Sequence, residues 1–199
     1  MRIFATAIIA AILSFPSFAK AFNGVSVSIG VEYDPIAKLE YVGGNQPGLD
    51  IVDNFAWESG LFYHFPAGFR AGTFFSYYVK KIARGDTRSS DLSSWGIGIL
   101  GDYGLEITES GRTLLVGGME AGFGKLTDKN EFSDRSRGAV WVAGIGGIRY
   151  FFTRAFSVEM DYRMKWLQYD FTDEPRKNYD FSGSTLRLIL EYGIYSHGH

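Results

Sequence analysis

The sequence predicts an all-β chain that closes into an eight-stranded antiparallel up-and-down transmembrane β-barrel. Three observations carry that expectation. Segments of period-two alternation recur along the chain, the connections between them alternate short and long, and the charges keep to one phase of the alternation.

Each predicted strand shows an apolar face against a polar one. The first has Val25, Val27, Ile29, Val31 and Tyr33 alternating with Ser26, Ser28, Gly30 and Glu32. The second sets Phe55, Trp57, Leu61, Tyr63 and Phe65 against Glu58 and His64, and the third sets Phe69, Thr73, Phe75, Tyr77 and Val79 against Arg70, Ser76 and Lys80. The fourth sets Trp95, Ile97, Ile99, Tyr103, Leu105 and Ile107 against Asp102 and Glu106. In the fifth, Thr113, Leu115, Met119, Ala121 and Phe123 alternate with a face carrying Glu120. In the sixth, Val140, Val142, Ile148, Tyr150 and Phe152 alternate with a face carrying Arg149. Gly117, Gly118, Gly144, Gly146 and Gly147 dilute the pattern of these two. The seventh opposes Phe156, Val158, Met160, Tyr162, Met164 and Trp166 to Ser157, Glu159, Asp161, Arg163 and Lys165. The last opposes Leu186, Leu188, Leu190, Tyr192 and Ile194 to Arg187 and Glu191.

The connections sort by length. Residues 66–68, 108–111 and 153–155 read as tight turns, and the polar segments 35–53, 81–91, 126–138 and 171–183 read as long loops. A transmembrane barrel sorts its connections this way, with short periplasmic turns and longer extracellular loops.

The charges decide between a membrane barrel and a soluble one. Glu32, Glu58, Arg70, Lys80, Asp102, Glu106, Glu120, Arg149, Glu159, Asp161, Arg163, Lys165, Arg187 and Glu191 share one phase, and the opposite phase holds only Lys125, at a strand end. In a soluble barrel the apolar face fills the interior. Here that face is too large and aromatic for eight strands to enclose. With the apolar face toward lipid, the eight acids and six bases line the lumen nearly balanced, as a structural ion network or a pore lining. Trp57, Trp95, Trp141 and Trp166 fall near the long loops, and Tyr63, Phe65, Phe69, Tyr103, Tyr150, Phe152 and Phe156 near the short turns, as two interfacial belts would.

Composition agrees. Aromatics make up 17%, and 25 glycines stand against 5 prolines, which favours β-structure over a helical bundle. Without cysteine there is no disulfide, thiolate metal site or cysteine nucleophile, and a net charge of −2 gives no reason to expect nucleic acid as a partner. At the N-terminus, Arg2, the apolar run 3–15 and Ala19-Lys20-Ala21 have the three parts of a secretory signal peptide. Residues 1–21 are therefore expected to be the signal peptide and 22–199 the barrel, with cleavage after Ala21 or, alternatively, Ala19. The destination is the bacterial outer membrane.

The strand–turn–strand from Tyr150 to Arg163 and the alternating strand from Thr185 to Tyr195 resemble the small outer-membrane barrels of the OmpA/OmpX type. The resemblance implies lipid and lipopolysaccharide as surroundings, barrel-insertion machinery and periplasmic chaperones during assembly, and a monomer. Such barrels usually end on an aromatic residue in the lipid-facing phase. Here the alternation stops at Ile194, Tyr195 is out of phase, and Ser196-His197-Gly198-His199 follows.

Catalytic and metal chemistry has little to build on. Some barrels of this type modify lipid A, and a serine hydrolase needs a histidine oriented by a carboxylate. The chain has only His64, His197 and His199; His64 falls at the periplasmic end, away from the outer leaflet, and the other two lie on a polar tail. The Glu159–Lys165 ladder reads as structural, and the glycines at 144–147 lack the helix of a nucleotide-binding loop. No catalytic residue, cofactor or metal ligand is expected. The cations Lys81, Arg84, Arg88, Lys129, Arg135, Arg137, Arg176 and Lys177 fall in the loops, where they could bridge lipopolysaccharide phosphates. The expected function is non-enzymatic, in envelope integrity or loop-mediated surface interaction. The alternatives are a narrow pore for ions or small solutes and, second, a lipid A-modifying enzyme.

Overall fold

A computed structural model describes residues 23–41, 49–66, 68–84, 88–130, 133–171 and 177–196. Residues 1–22, with the signal peptide and both cleavage positions, lie outside that range, as do Arg176, His197 and His199. The described chain forms ten antiparallel strands: β1 Gly24–Tyr41, β2 Leu49–His64, β3 Phe69–Arg84, β4 Arg88–Glu106, β5 Thr113–Asn130, β6 Ser133–Phe151, β7 Phe156–Trp166, β8 Gln168–Phe171, β9 Lys177–Asp180 and β10 Gly183–Ser196. Each long strand pairs with its neighbour in sequence, except that β7 pairs with β10, and β10 closes the sheet onto β1. The result is a closed eight-stranded barrel in which the last two strands are each broken once.

The break has a local cause. Between β7 and β8, Leu167 N–H donates to Ser182 Oγ (2.9 Å), and Phe181 N–H donates to Leu167 O (2.9 Å). A side-chain oxygen thus satisfies a backbone donor where the ladder lapses. Beyond the break, β9 pairs with β8 and with the far part of β1, from Lys38↔Asp180 to Tyr41↔Lys177.

The short turns are built as expected. At 65–69, Phe65 N–H donates to Phe69 O (2.8 Å), and Gly68 takes φ +82°, a conformation that a side chain resists. Thr153 Oγ1 accepts from the amides of Ala155 and Phe156 (3.2 and 3.0 Å) and pins the β6–β7 turn.

The long connections differ from expectation. Most of 35–53, 81–91 and 126–138 is strand, and the β5–β6 ladder runs unbroken to Asn130↔Ser133. The hairpins simply extend past the apolar band. Apolar alternation marks where lipid ends, while backbone pairing continues beyond it. β5 and β6, diluted by glycine, are among the longest strands, at 18 and 19 residues.

The C-terminal strand also differs. Val25 pairs with Tyr195 and Ser26 with Gly193, so Ile194 is an extra residue in β10. This bulge shifts the phase by one. Tyr195 takes the register position opposite Val25, in the phase of the exposed Val27 and Ile29.

Candidate functional site

The outer surface between the barrel ends is apolar. Ile97, Ile99, Met119, Val140, Met160, Leu188 and their phase-mates are all exposed. At the short-turn end the belt is continuous through Tyr63–Phe65 and Phe65–Phe69, with ring centroids 4.7 and 5.5 Å apart, and again through Tyr150–Phe152 at 4.9 Å. Trp57, Trp95 and Trp166 face outward near the other end. Trp141 does not join them: it is buried in the lumen, packed on Phe74 at 5.5 Å. Its neighbours Val140 and Val142 are exposed, so strict alternation turns Trp141 inward.

The lumen holds the charged residues in two groups. Nearer the short turns, Arg70 and Arg149 both bond Asp102 and Glu159. Arg70 Nε lies 2.7 Å from Asp102 Oδ2 and its Nη2 3.0 Å from Glu159 Oε2, while Arg149 lies 3.0 Å from Asp102 Oδ1 and 2.7 Å from Glu159 Oε2. Arg70 Nη1 also donates to Glu191 (2.5 Å). One level higher, Arg163 and Arg187 both bond Glu58 and Glu120. Arg163 lies 2.9 Å from Glu58 and 2.6 Å from Glu120, and Arg187 lies 2.8 and 3.2 Å from the same two. Asp161 completes Arg187 at 2.8 Å, and Glu32 links Arg163 (2.7 Å) to Lys165 (2.8 Å). Each level is a closed ring of two guanidinium groups and two carboxylates.

Strand pairing explains part of this. Arg70↔Asp102, Arg149↔Glu159 and Arg187↔Asp161 are directly opposite on adjacent strands. The remaining bonds cross the lumen: Glu120 on β5 reaches Arg187 on β10, with β6 and β7 between them in the sheet. Glycines make room at the wall. A Cβ on Gly147 would stand 2.6 Å from Asp161 Cβ, and one on Gly118 would stand 2.6 Å from Asp102 Cβ. Arg70, Arg149, Arg163 and Arg187 are almost fully buried, and Lys165 is half-buried. Glu106 lies near the short turns, where a Cβ on Gly111 would stand 3.1 Å from its Oε1. The side chains of Lys80, Lys81, Arg84, Arg88 and Lys177 lie outside the described residues.

At the short-turn mouth, Ser26, His64 and Glu191 form a buried cluster. Ser26 Oγ lies 3.1 Å from His64 Nε2 and donates to Glu191 Oε1 (2.7 Å), and His64 Nε2 also bonds Glu191 Oε1. A hydrolytic triad uses the two ring nitrogens for different partners. Here serine and carboxylate meet the same nitrogen and each other, which suits a hydrogen-bonded plug.

The sequence reading overlooked an apolar layer in the same inward phase. Phe62, Phe74, Tyr78, Leu92, Leu100, Leu126, Trp141, Tyr169, Phe171 and Tyr179 pack inside the barrel, mostly on the long-hairpin side of the rings. Arg70 lies over the Phe62 ring (4.7 Å) and Arg163 over that of Phe74 (5.7 Å). Their signal was present, since Phe62 shares the phase of Glu58, and Phe74 and Tyr78 that of Arg70.

A family model described as "Outer membrane protein beta-barrel domain" matches residues 5–192. The chain belongs to the outer-membrane protein β-barrel family. This family's place is the bacterial outer membrane, so the short turns are periplasmic and the long hairpins extracellular. Similar solved structures include neisserial surface protein A (NspA), with 15% identity and a TM-score of 0.63 over 88% of this chain and 100% of that one. OprG from Pseudomonas aeruginosa matches at 12% identity and TM-score 0.62 over 90% and 100% of the two chains. Ail, the attachment invasion locus protein of Yersinia pestis, matches at 16% and 0.54 over 85% and 98%. At these identities the likeness is one of fold. Comparison with curated protein sequences gives no match.

Proposed function

We propose that this outer-membrane barrel is non-enzymatic and acts from its outer surface, in envelope integrity or in contacts made by its extracellular hairpins. The observation that carries the reading is the pair of ion rings, which fill the lumen at two successive levels and leave the projecting hairpins as the part free to engage other molecules. In this reading the charges from Glu32 to Glu191 are structural and do not line a conducting path. Lys129, Arg135 and Arg137 on the β5–β6 hairpin, with the cations of the other hairpins, suit contacts with phosphate groups of lipopolysaccharide. The Yersinia pestis relative is described as an attachment invasion locus protein and has been solved with the heparin analogue sucrose octasulfate, a polyanion. We also infer export by cleavage after Ala21, assembly by the barrel-insertion machinery with periplasmic chaperones, and a monomer in lipid.

The test is to shorten each extracellular hairpin in turn, keeping the membrane band intact, and to measure surface adhesion and sensitivity of the cells to detergent. Loss of either property on trimming at least one hairpin supports the reading. No change from any of the four, together with discrete conductance steps in planar bilayers, overturns it in favour of a pore.

A further inference from the structure

Above the upper ring, on its extracellular side, the lumen holds a partly open pocket of about 60 Å³. Glu32, Arg163 and Lys165 line it on the ring side, and Ser76, Tyr78, Trp141, Tyr169 and Phe181 are also in its lining. Gly96 and Gly124, cross-strand partners on β4 and β5, leave one wall without side chains.

Two donors face this space with capacity to spare. Both Glu32 oxygens are taken, Oε1 by Lys165 and Oε2 by Arg163. Lys165 spends one of its three protons on Glu32. Trp141 is 5% exposed, and its indole N–H has no hydrogen-bond partner among the described residues. Its Nε1 lies 3.8 Å from where a Cβ on Gly96 would stand, which places it at the same wall. The space is several times what one water needs, but smaller than the roughly 150 Å³ apolar cavity that takes benzene. An occupant must therefore be an acceptor of a few heavy atoms with an apolar end for the aromatic walls.

We propose that this cavity binds a short-chain monocarboxylate of two or three carbons, its carboxylate on Lys165 and the Trp141 indole and its alkyl end against Tyr78 and Phe181. Neither the surface contacts nor the ion rings require such a site.

The test uses the full barrel, folded from denaturant into lipid nanodiscs in the presence of propionate, so that the rate of entry does not decide the outcome. The readout is the indole N–H resonance of Trp141, assigned with Trp141→Phe. Propionate should shift it saturably, while the indoles of Trp57, Trp95 and Trp166 stay in place. Lys165→Met leaves Glu32 its bond to Arg163 and should weaken binding by about ten-fold or more, the worth of one charge-assisted hydrogen bond. Ser76→Val narrows the pocket and should abolish the shift while the gel mobility of the folded barrel is kept. No saturable shift overturns the proposal, as does an equal shift with propionamide or chloride, or full binding by folded Ser76→Val.

Discussion

Replacing Arg187 with methionine tests whether the lumen rings hold the barrel together. Arg187 is wholly buried and serves three carboxylates: Asp161 at 2.9 and 3.2 Å through Nε, and Glu58 at 2.8 Å and Glu120 at 3.2 Å through Nη1. The three would not suffer equally. Glu58 and Glu120 keep Arg163, at 2.9 and 2.6 Å. Asp161 keeps no other direct ion pair among the described residues, only the longer-range attraction of Arg163, so the cost concentrates on one buried carboxylate. Breaking a buried pair from one side typically costs about 3–5 kcal/mol, and Arg187→Met should fall in that range. Removing the orphan as well, in Arg187→Met/Asp161→Leu, should recover about 2–3 kcal/mol, a coupling expected of directly bonded groups. The assay is equilibrium unfolding in urea from lipid vesicles, followed by tryptophan fluorescence and by the mobility difference between folded and unfolded barrel. A loss below about 1 kcal/mol for the single variant, or additive effects in the cycle, would refute the idea that these charges are mutually dependent.

Three further outcomes follow from other parts of the barrel. Lys129→Ala should leave stability unchanged in the same assay, because its 3.5 Å pair with Asp134 is largely exposed. Gly147→Ala should destabilise by about 1–3 kcal/mol through overpacking against Asp161, while Gly117→Ala, whose added Cβ would meet nothing within 4 Å, should unfold with the wild type. Trp141→Ala should cost about 3–5 kcal/mol as a core truncation. Trp166→Ala should instead mainly change the depth at which the fluorescence of the remaining tryptophans is quenched by lipid-borne probes.

How much of this was legible in the sequence depends on what alternation can encode. It reports which face a residue takes, so the strand set, the lipid face and the inward phase of Glu32 through Glu191 were readable. It does not report which strands face each other across the lumen, so the partnership of Glu120 with Arg163 and Arg187 was not. Trp141 shows a different failure. Its phase pointed inward, but its residue type suggested the interfacial belt, and burial against Phe74 follows the phase. The hairpins beyond the membrane band were read as loops because hydrophobicity ends where lipid ends, although pairing does not. Ile194 hid in the same way. One extra residue looks like the end of a pattern in a linear reading, and only its register against Val25 and Ser26 identifies it as a bulge.

The membership of the two rings has a consequence for assembly. The lower ring draws on β3, β4, β6 and β7, and the upper on β2, β5, β7 and β10. Neither can be completed until the C-terminal third of the chain has arrived. Until then Glu32, Glu58 and Glu120 lack their guanidinium partners along one side of an open sheet, with only Asp102 already facing Arg70, and they favour hydration and discourage premature collapse or stacking with another copy. Closure of β10 onto β1 then neutralises that side in the same event that removes the last free edge. The charges that make the finished interior cohesive would thus keep the unfinished chain dispersed, and the chain would commit to lipid only once it is whole.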